Sequence, residues 1–308
     1  MRDPLKIAMN QLHKYLFTDQ QTRVQTVYLE EVWQQAFEHR SYPTAVQHLL
    51  GELTAAAVLL AGNLKMKGSL ILQAQGAGPI ALLVVECTSD LQIRATVSLR
   101  EDAEIPAEGN LQTLLNPDGE GRFVTILEPA DKQSFRPYQG IVPLEGDTVT
   151  EVLQNYMHHS EQLDTRLCLA ADGQRAAGIL LQRLPANENT EPDQAEDSWE
   201  RNVPVFATVQ ADELLSLDNE ALIKRLFWQE DLLKLPSQPV EWHCPCSRER
   251  VAKMLHMLGE EEVNDILQEQ GSVEVACQFC GQPYSFDAVD CAQIFATGNG
   301  SSPSEQVH

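Results

Sequence analysis

The sequence predicts an α+β protein: a large N-terminal domain of sheets packed around one buried helix, then a helical linker, then a small C-terminal domain organised by cysteines. Three observations carry this reading. Strand-like segments outnumber helical ones before residue 185, and the two do not alternate as they would in a doubly wound sheet. One stretch, residues 44–63, is apolar nearly all round, as a helix covered on more than one side must be. Five of the seven cysteines lie beyond residue 240, four of them in two tight pairs.

In chain order, strands are expected at residues 23–29, 69–75, 79–87, 91–99, 122–127, 165–171 and 177–183, most of them bounded by Gly, Asp or Pro. The helix at 44–63 carries Val46, Leu49, Leu50, Leu53, Val58 and Leu60 around Ala55, Ala56 and Ala57. Gln47, His48, Glu52 and Thr54 interrupt it and its flanks lack an anchor pattern, so it reads as a core helix, not a membrane span. Gly76 and Gly78 before Pro79 read as a hairpin turn. A second helix begins at Thr148, spaced from Glu151 as in a capping box, with Val152, Leu153, Tyr156 and Met157 as its apolar stripe. Residues 186–200 hold six acids, Pro192 and no Lys or Arg, which predicts a flexible boundary. The expected domains are therefore 1–187, a linker at 188–240 and a C-terminal domain at 241–308. Within the linker, 207–235 reads as short amphipathic helices, with Asp218 as an N-cap and Leu222, Ile223, Leu226 and Phe227 as the buried stripe. Helices this short need a surface to dock on. Helices at 248–258 and 260–270 end at Gly259 and Gly271, and short strands follow around the second cysteine pair.

Composition removes several function classes. A formal charge of −23 over 308 residues makes phosphate backbones and anionic lipid surfaces poor partners, so neither nucleic acid nor membrane is expected. A content of 43% hydrophobic and 22% charged residues is that of a globular chain, which excludes wholesale disorder. Arg2, Asp3, Lys6, His13 and Lys14 break up the first residues, leaving no signal-peptide core, and a cytoplasmic location is expected. No phosphate-binding glycine loop or nucleophile elbow is present, so we expect no nucleotide, no catalytic triad and no enzyme. Adjacent helix positions diverge by about 100°, so His158 and His159 read as a solvated pair.

The strongest chemical signal is Cys244-Pro245-Cys246 followed by Cys277-Gln278-Phe279-Cys280-Gly281. Clustered cysteines in a reducing compartment point to metal or redox chemistry. Four thiolates complete a tetrahedral zinc site, and the second pair with its glycine has the form of a zinc knuckle. His243 and His256 lie nearby, yet four cysteines suffice without them. Two residues of chain span at most about 7 Å and a disulfide needs Cα atoms about 5.5 Å apart, so Cys244 and Cys246 can close only through a bent, easily reduced ring. Cys277 and Cys280 can likewise join. A structural zinc contributes on the order of 10–16 kcal/mol, as much as the whole stability of a small domain, so its loss should unfold the C-terminal domain. Disulfides over such short loops compensate little. The linker helices should then loosen and expose Leu214, Leu215, Leu222, Leu226 and Phe227. Cys87 and Cys168 read as inert strand residues in the core; Cys291 reads as a helix-face thiol, with an extra resolving cysteine as the alternative.

The run Cys244-Pro-Cys-Ser-Arg-Glu-Arg250, with Gly259-Glu-Glu-Glu-Val263 and Cys277-Gln-Phe-Cys-Gly-Gln-Pro-Tyr284, resembles the zinc redox switch of the heat-shock protein 33 family, the redox-regulated 33 kDa chaperonins. The resemblance extends to Tyr15-Leu-Phe17, Tyr42-Pro43, Gln75-Gly-Ala-Gly-Pro79, Tyr138-Gln-Gly140, Leu144-Glu-Gly-Asp147, Ser160-Glu-Gln-Leu163 and Ala176-Ala-Gly178. It implies a bacterial, ATP-independent holdase, inactive when reduced with zinc on Cys244, Cys246, Cys277 and Cys280. It further implies that oxidants form the Cys244–Cys246 and Cys277–Cys280 disulfides, with zinc release, linker unfolding, homodimerisation and capture of unfolding client proteins. Some relatives carry a cysteine five residues after the first pair; this chain has Val251 there. Two other functions compete. A thiol–disulfide oxidoreductase would use Cys277 and Cys280, although Gly281, Gln282 and Pro283 follow in place of a helix N-terminus. A static zinc-binding interaction module would explain the ligands alone.

Overall fold

Residues 10–131, 136–185 and 198–298 are described by the computed structural model, in which the chain forms two units, Met1–His243 and Cys244–His308. The first unit runs β1 (Gln11–Phe17), β2 (Thr22–Leu29), α1 (Glu31–Gln35), α2 (Thr44–Ala61), β3 (Gly68–Gln75), β4 (Ile80–Thr88), β5 (Gln92–Leu99), α3 (Leu111–Leu115), β6 (Arg122–Pro129), β7 (Tyr138–Pro143), α4 (Val149–His159), β8 (Thr165–Ala171) and β9 (Ala176–Arg183). It continues through α5 (Ser198–Phe206), α6 (Ala211–Ser216), α7 (Asn219–Phe227), β10 (Leu232–Lys234), β11 (Gln238–Pro239) and β12 (Glu241–Trp242). The α+β class is as expected.

Two six-stranded sheets enclose α2. The first has the order β10-β1-β2-β9-β8 with β11 also on β1, and the second the order β12-β5-β4-β3-β6-β7. Leu50, Leu53, Ala55, Ala56, Ala57, Val58 and Leu59 of α2 are buried against Leu72, Val85 and Phe123 of one sheet and Leu169 and Leu180 of the other. This two-sided cover is why the stretch has no polar face: α2 is apolar and long enough to cross a membrane, yet 72% of it is buried inside the protein. Gly51 permits the close approach, because a Cβ there would lie 2.3 Å from that of Ala171. The turn at Gly76 and Gly78 is a close approach as well as a hairpin. A Cβ on Gly76 would lie 1.8 Å from the Leu115 carbonyl of α3, and Arg100 donates to the carbonyls of Gly78 and Gly76 at 3.0 and 2.8 Å. Thr148 caps α4 by accepting from the Glu151 N–H, while Glu151 reaches back to Asp147, one residue before the reciprocal capping-box position.

The first sheet is apolar on both faces. Leu12, Val27 and Leu180 point toward α2, whereas Tyr15, Phe17, Val24, Ile179 and Leu181 point outward and are covered by α5, α6 and α7. Trp199, Phe206, Leu214, Leu222, Ile223, Leu226 and Phe227 supply the cover, with Phe227 edge-on to Phe17 at 5.5 Å. Asp218 caps α7 through the Ala221 N–H at 2.8 Å, as the sequence predicts. The start of α5 is held by Asp19, which accepts from the Ser198 N–H at 3.0 Å, and Glu230 accepts from Arg201 and Asn202. Residues 232–234 correct the helical reading of 207–235: they are a strand, because the edge of β1 offers backbone partners to them. The acidic boundary at 186–200 lies outside the described residues except for 198–200, which open α5.

The second unit comprises α8 (Arg248–Leu258), α9 (Glu260–Gln270), the hairpin of β13 (Val273–Ala276) and β14 (Pro283–Phe286), and α10 (Ala288–Gly298). Ser247 caps α8, and Gly259 and Gly271, at φ +108° and +79°, end α8 and α9 where the sequence predicts. Among the described residues its core is a cluster of five buried ones, Leu255, Val263, Val273, Phe286 and Cys291, with partly buried neighbours such as Ile266, Leu267 and Phe295 packed against it. An apolar core of this size is small for independent stability.

Candidate metal centre

Two short arms of the second unit carry the cysteines. Cys244 and Cys246 lie in the extended segment that Ser247 converts into α8. Cys277 follows β13, and Cys280 sits in the turn before β14. That turn is closed by the Gly281 N–H donating to the Cys277 carbonyl at 2.9 Å and the Cys277 N–H to the Gln282 carbonyl at 3.0 Å. Gly281 adopts φ +75°, which a side chain would oppose.

The four sulfurs all lie within 4.8 Å of one another. The closest contacts cross between the arms, Cys244 to Cys277 at 3.6 Å and Cys246 to Cys280 at 3.4 Å. A tetrahedron with metal–sulfur bonds of about 2.3 Å has edges of about 3.8 Å, so the thiols stand at the separation such a metal requires. Two contacts clamp the arms. The Tyr284 hydroxyl, on β14, donates to the Cys246 sulfur at 3.2 Å. Arg248 stacks over Phe286 at 4.1 Å and donates to the Ser285 carbonyl and to Asp290 at 2.6 and 2.7 Å, tying the start of α8 to β14 and α10.

Charge makes the same case. Burial opposes ionisation of Cys277, but the N–H groups of Cys280 and Phe279 and the thiols of Cys244 and Cys280 outweigh it and bring the group down to about 7. Burial, and then the neighbouring sulfurs, push Cys280 well up; burial also raises Cys244. Once one thiolate forms, the others resist following it without a cation among them. Four soft donors at this spacing can hold a metal ion.

The remaining candidates lie elsewhere. His243 and His256 are exposed and outside the cluster; His256 stacks on Phe295 at 5.6 Å. His158 and His159 are solvent-facing. Cys87 is fully buried, and burial raises its thiol. Cys168 departs from the expected core position: it is half-buried on the outer face of its strand, its thiol raised to about 11 by burial and then by Glu52 and Glu213. Cys291 is 2% exposed, on the buried face of α10. The individual parts played by Tyr284 and Arg248 are not legible in the cysteine spacing. They follow from the β13–β14 register, which sets Tyr284 opposite Val275, two residues before Cys277.

Comparison with known proteins follows the same lines. The family model described as Hsp33 protein matches residues 10–287. The 33 kDa chaperonin of Methylobacillus flagellatus is 48% identical over 288 residues, 93% of this chain and 94% of its own. That of Ectopseudomonas mendocina is 44% identical over 96% of this chain and 98% of its own. Among solved structures, the 33 kDa chaperonin (heat shock protein 33 homolog) of Thermotoga maritima superposes with a TM-score of 0.77 over 94% of this chain and 99% of that one, at 20% identity, which establishes a common fold. With relatives this similar over nearly their whole length, and the four-cysteine cluster assembled on that fold, the chain belongs to the Hsp33 family.

Proposed function

We propose that the protein is a redox-regulated, ATP-independent holdase of the cytoplasm, without enzymatic activity, whose four-cysteine site holds zinc in the resting state. The observation that carries this reading is the cluster itself: four thiols within 4.8 Å, in a unit whose apolar core is five residues. Zinc, when bound, supplies the divalent charge that lets four thiolates coexist and cross-links the two arms. Cys244 and Cys246 hold it from one side, Cys277 and Cys280 from the other.

A peroxide removes the donors pairwise. Within a pair, one thiolate attacks a peroxide oxygen, giving a sulfenic acid and hydroxide; the second thiolate displaces a second hydroxide and closes the disulfide, two electrons passing to the oxidant. The Cys244–Cys246 and Cys277–Cys280 bonds leave no thiolate for a metal. A structural zinc contributes about 10–16 kcal/mol, and loops this short return little of it, so the second unit unfolds.

The linker then follows. Helices α5, α6 and α7 are six to nine residues long and owe their order to docking. Their release uncovers Tyr15, Phe17, Val24, Ile179 and Leu181, a surface suited to apolar segments of unfolding clients, while the −23 charge keeps the opened, dimeric form soluble. The test compares reduced and peroxide-treated protein for suppression of light scattering by a heat-unfolding client without ATP, with zinc release followed by a chromogenic chelator. Suppression confined to the zinc-free sample supports the holdase. Retained zinc and equal aggregation in both samples indicate a static zinc module, and catalysed insulin reduction an oxidoreductase.

A further inference from the structure

We propose that Tyr284 sets the oxidant threshold of the four-cysteine site by donating its hydroxyl hydrogen to the Cys246 thiolate. The inference rests on the zinc–thiolate reading above and assigns one residue to its regulation. Tyr284 stands on β14, in the hairpin that presents Cys277 and Cys280, yet its hydroxyl lies 3.2 Å from a sulfur of the opposite arm. Its ring packs beside the cluster of Leu255, Val263, Val273, Phe286 and Cys291, so the reach toward Cys246 is fixed by the fold. The Arg248 stack on Phe286, two residues further along β14, holds α8 against the same strand and keeps the donor on its acceptor.

A thiolate that accepts a hydrogen bond is a weaker nucleophile, because the charge that would attack is shared with the donor. When Cys246 attacks peroxide, the S–O bond forms, the O–O bond breaks and hydroxide departs; Cys244 then displaces the second hydroxide as the S–S bond closes. Tyr284 keeps its proton throughout. Its hydrogen bond is strongest to the charged sulfur before attack and weakens as that charge passes to the peroxide, so it stabilises the resting state over the transition state. The site is thereby held back from low oxidant levels and reacts when peroxide rises.

The experiment uses the full-length reduced, zinc-loaded protein and Tyr284→Phe, which retains the ring and removes one O–H. Peroxide-driven thiol loss and zinc release are expected to be about tenfold faster in the variant, at the lower end of effects from groups that support metal ligands. In the cobalt-substituted variant the sulfur-to-cobalt charge-transfer band is expected at lower energy than in the wild type, a signature that a purely packing role would not move. A folded, metal-loaded variant with wild-type rate and band overturns the proposal. Should the variant fail to fold, the cadmium-113-loaded wild type decides: a Tyr284 hydroxyl proton correlated with cadmium through the Cys246 sulfur supports the proposal, and a freely exchanging one without correlation overturns it. Wild-type protein that keeps its zinc in peroxide would defeat the holdase reading instead, while the band shift would still report on Tyr284.

Discussion

Helix α2 is enclosed by two sheets and needs only apolar contact to stay folded, whereas the C-terminal unit surrounds five buried residues with helices whose outer faces are polar or open to solvent. Of the first unit's two thiols, Cys87 is fully buried and the half-buried Cys168 is raised to about 11, burial opposing the ionisation of both. The second unit concentrates its chemistry in three partly exposed thiols and the buried Cys280, with Cys277 brought to about 7. The two units therefore differ in how far their thiols are open to chemistry as well as in the size of their apolar cores.

The largest expected effect breaks this contrast at its weak end. Cys277→Ser should abolish stoichiometric zinc binding and unfold the second unit under reducing conditions, a loss on the scale of about 10 kcal/mol of metal-linked stability. Hydrogen exchange should show amides of α8 to α10 unprotected while those of α2 and β9 stay protected; protection retained in both units would show that the metal is dispensable. Leu53→Ala probes the other side. Leu53 is buried between the sheets, so its truncation should lower the unfolding free energy of the first unit by about 3–4 kcal/mol in denaturant titrations and leave zinc stoichiometry unchanged.

A smaller effect is expected at the helices docked on the outer face of the first sheet. Phe227→Ala removes the ring that meets Phe17 edge-on, and should weaken docking of α7 by about 2–3 kcal/mol. The readout is increased binding of a hydrophobic dye by the reduced protein with zinc still in place; dye binding at the wild-type level would mean that α7 is not held by this contact.

The smallest effect is electrostatic. Burial on α2 raises the Glu52 carboxyl to about 7. The folded state therefore binds this proton more tightly than the unfolded chain. Its contribution is complete below the unfolded value of about 4.5 and is lost as pH rises through 7. Glu52→Gln should flatten the fall in stability of the first unit between pH 5 and 8 and raise stability at pH 8 by about 1–2 kcal/mol; an unchanged pH profile from denaturant titrations would show that the charge is already solvated.

The strands at 69–75, 122–127 and 165–171 were legible because turn residues bound β-branched and apolar runs, and α8 and α9 because Gly259 and Gly271 stop them. Strand β1 was not, since Leu12 faces one core and His13, Tyr15 and Phe17 the other, so burial on both faces erases the alternation that marks a strand. The five-residue helices α1 and α3 are too short for a helical period to register. Strands β10, β11 and β12 have two or three residues each, and no local pattern distinguishes them from loop.

What the amino-acid order determined alone is local or chemical: the all-round apolar α2, the caps at Thr148 and Asp218, the glycine stops, and the identity of the four thiols, whose close spacing within each pair leaves little freedom. Tertiary structure decided what depends on residues distant in sequence. It set Cys246 at 3.4 Å from Cys280 and Tyr284 at 3.2 Å from Cys246, docked α5 to α7 on the outer face of the first sheet, and drew residues 232–234 into a strand on β1. A backbone edge and an apolar face are satisfied by whatever the folded chain brings to them, and that information resides in no short stretch of sequence.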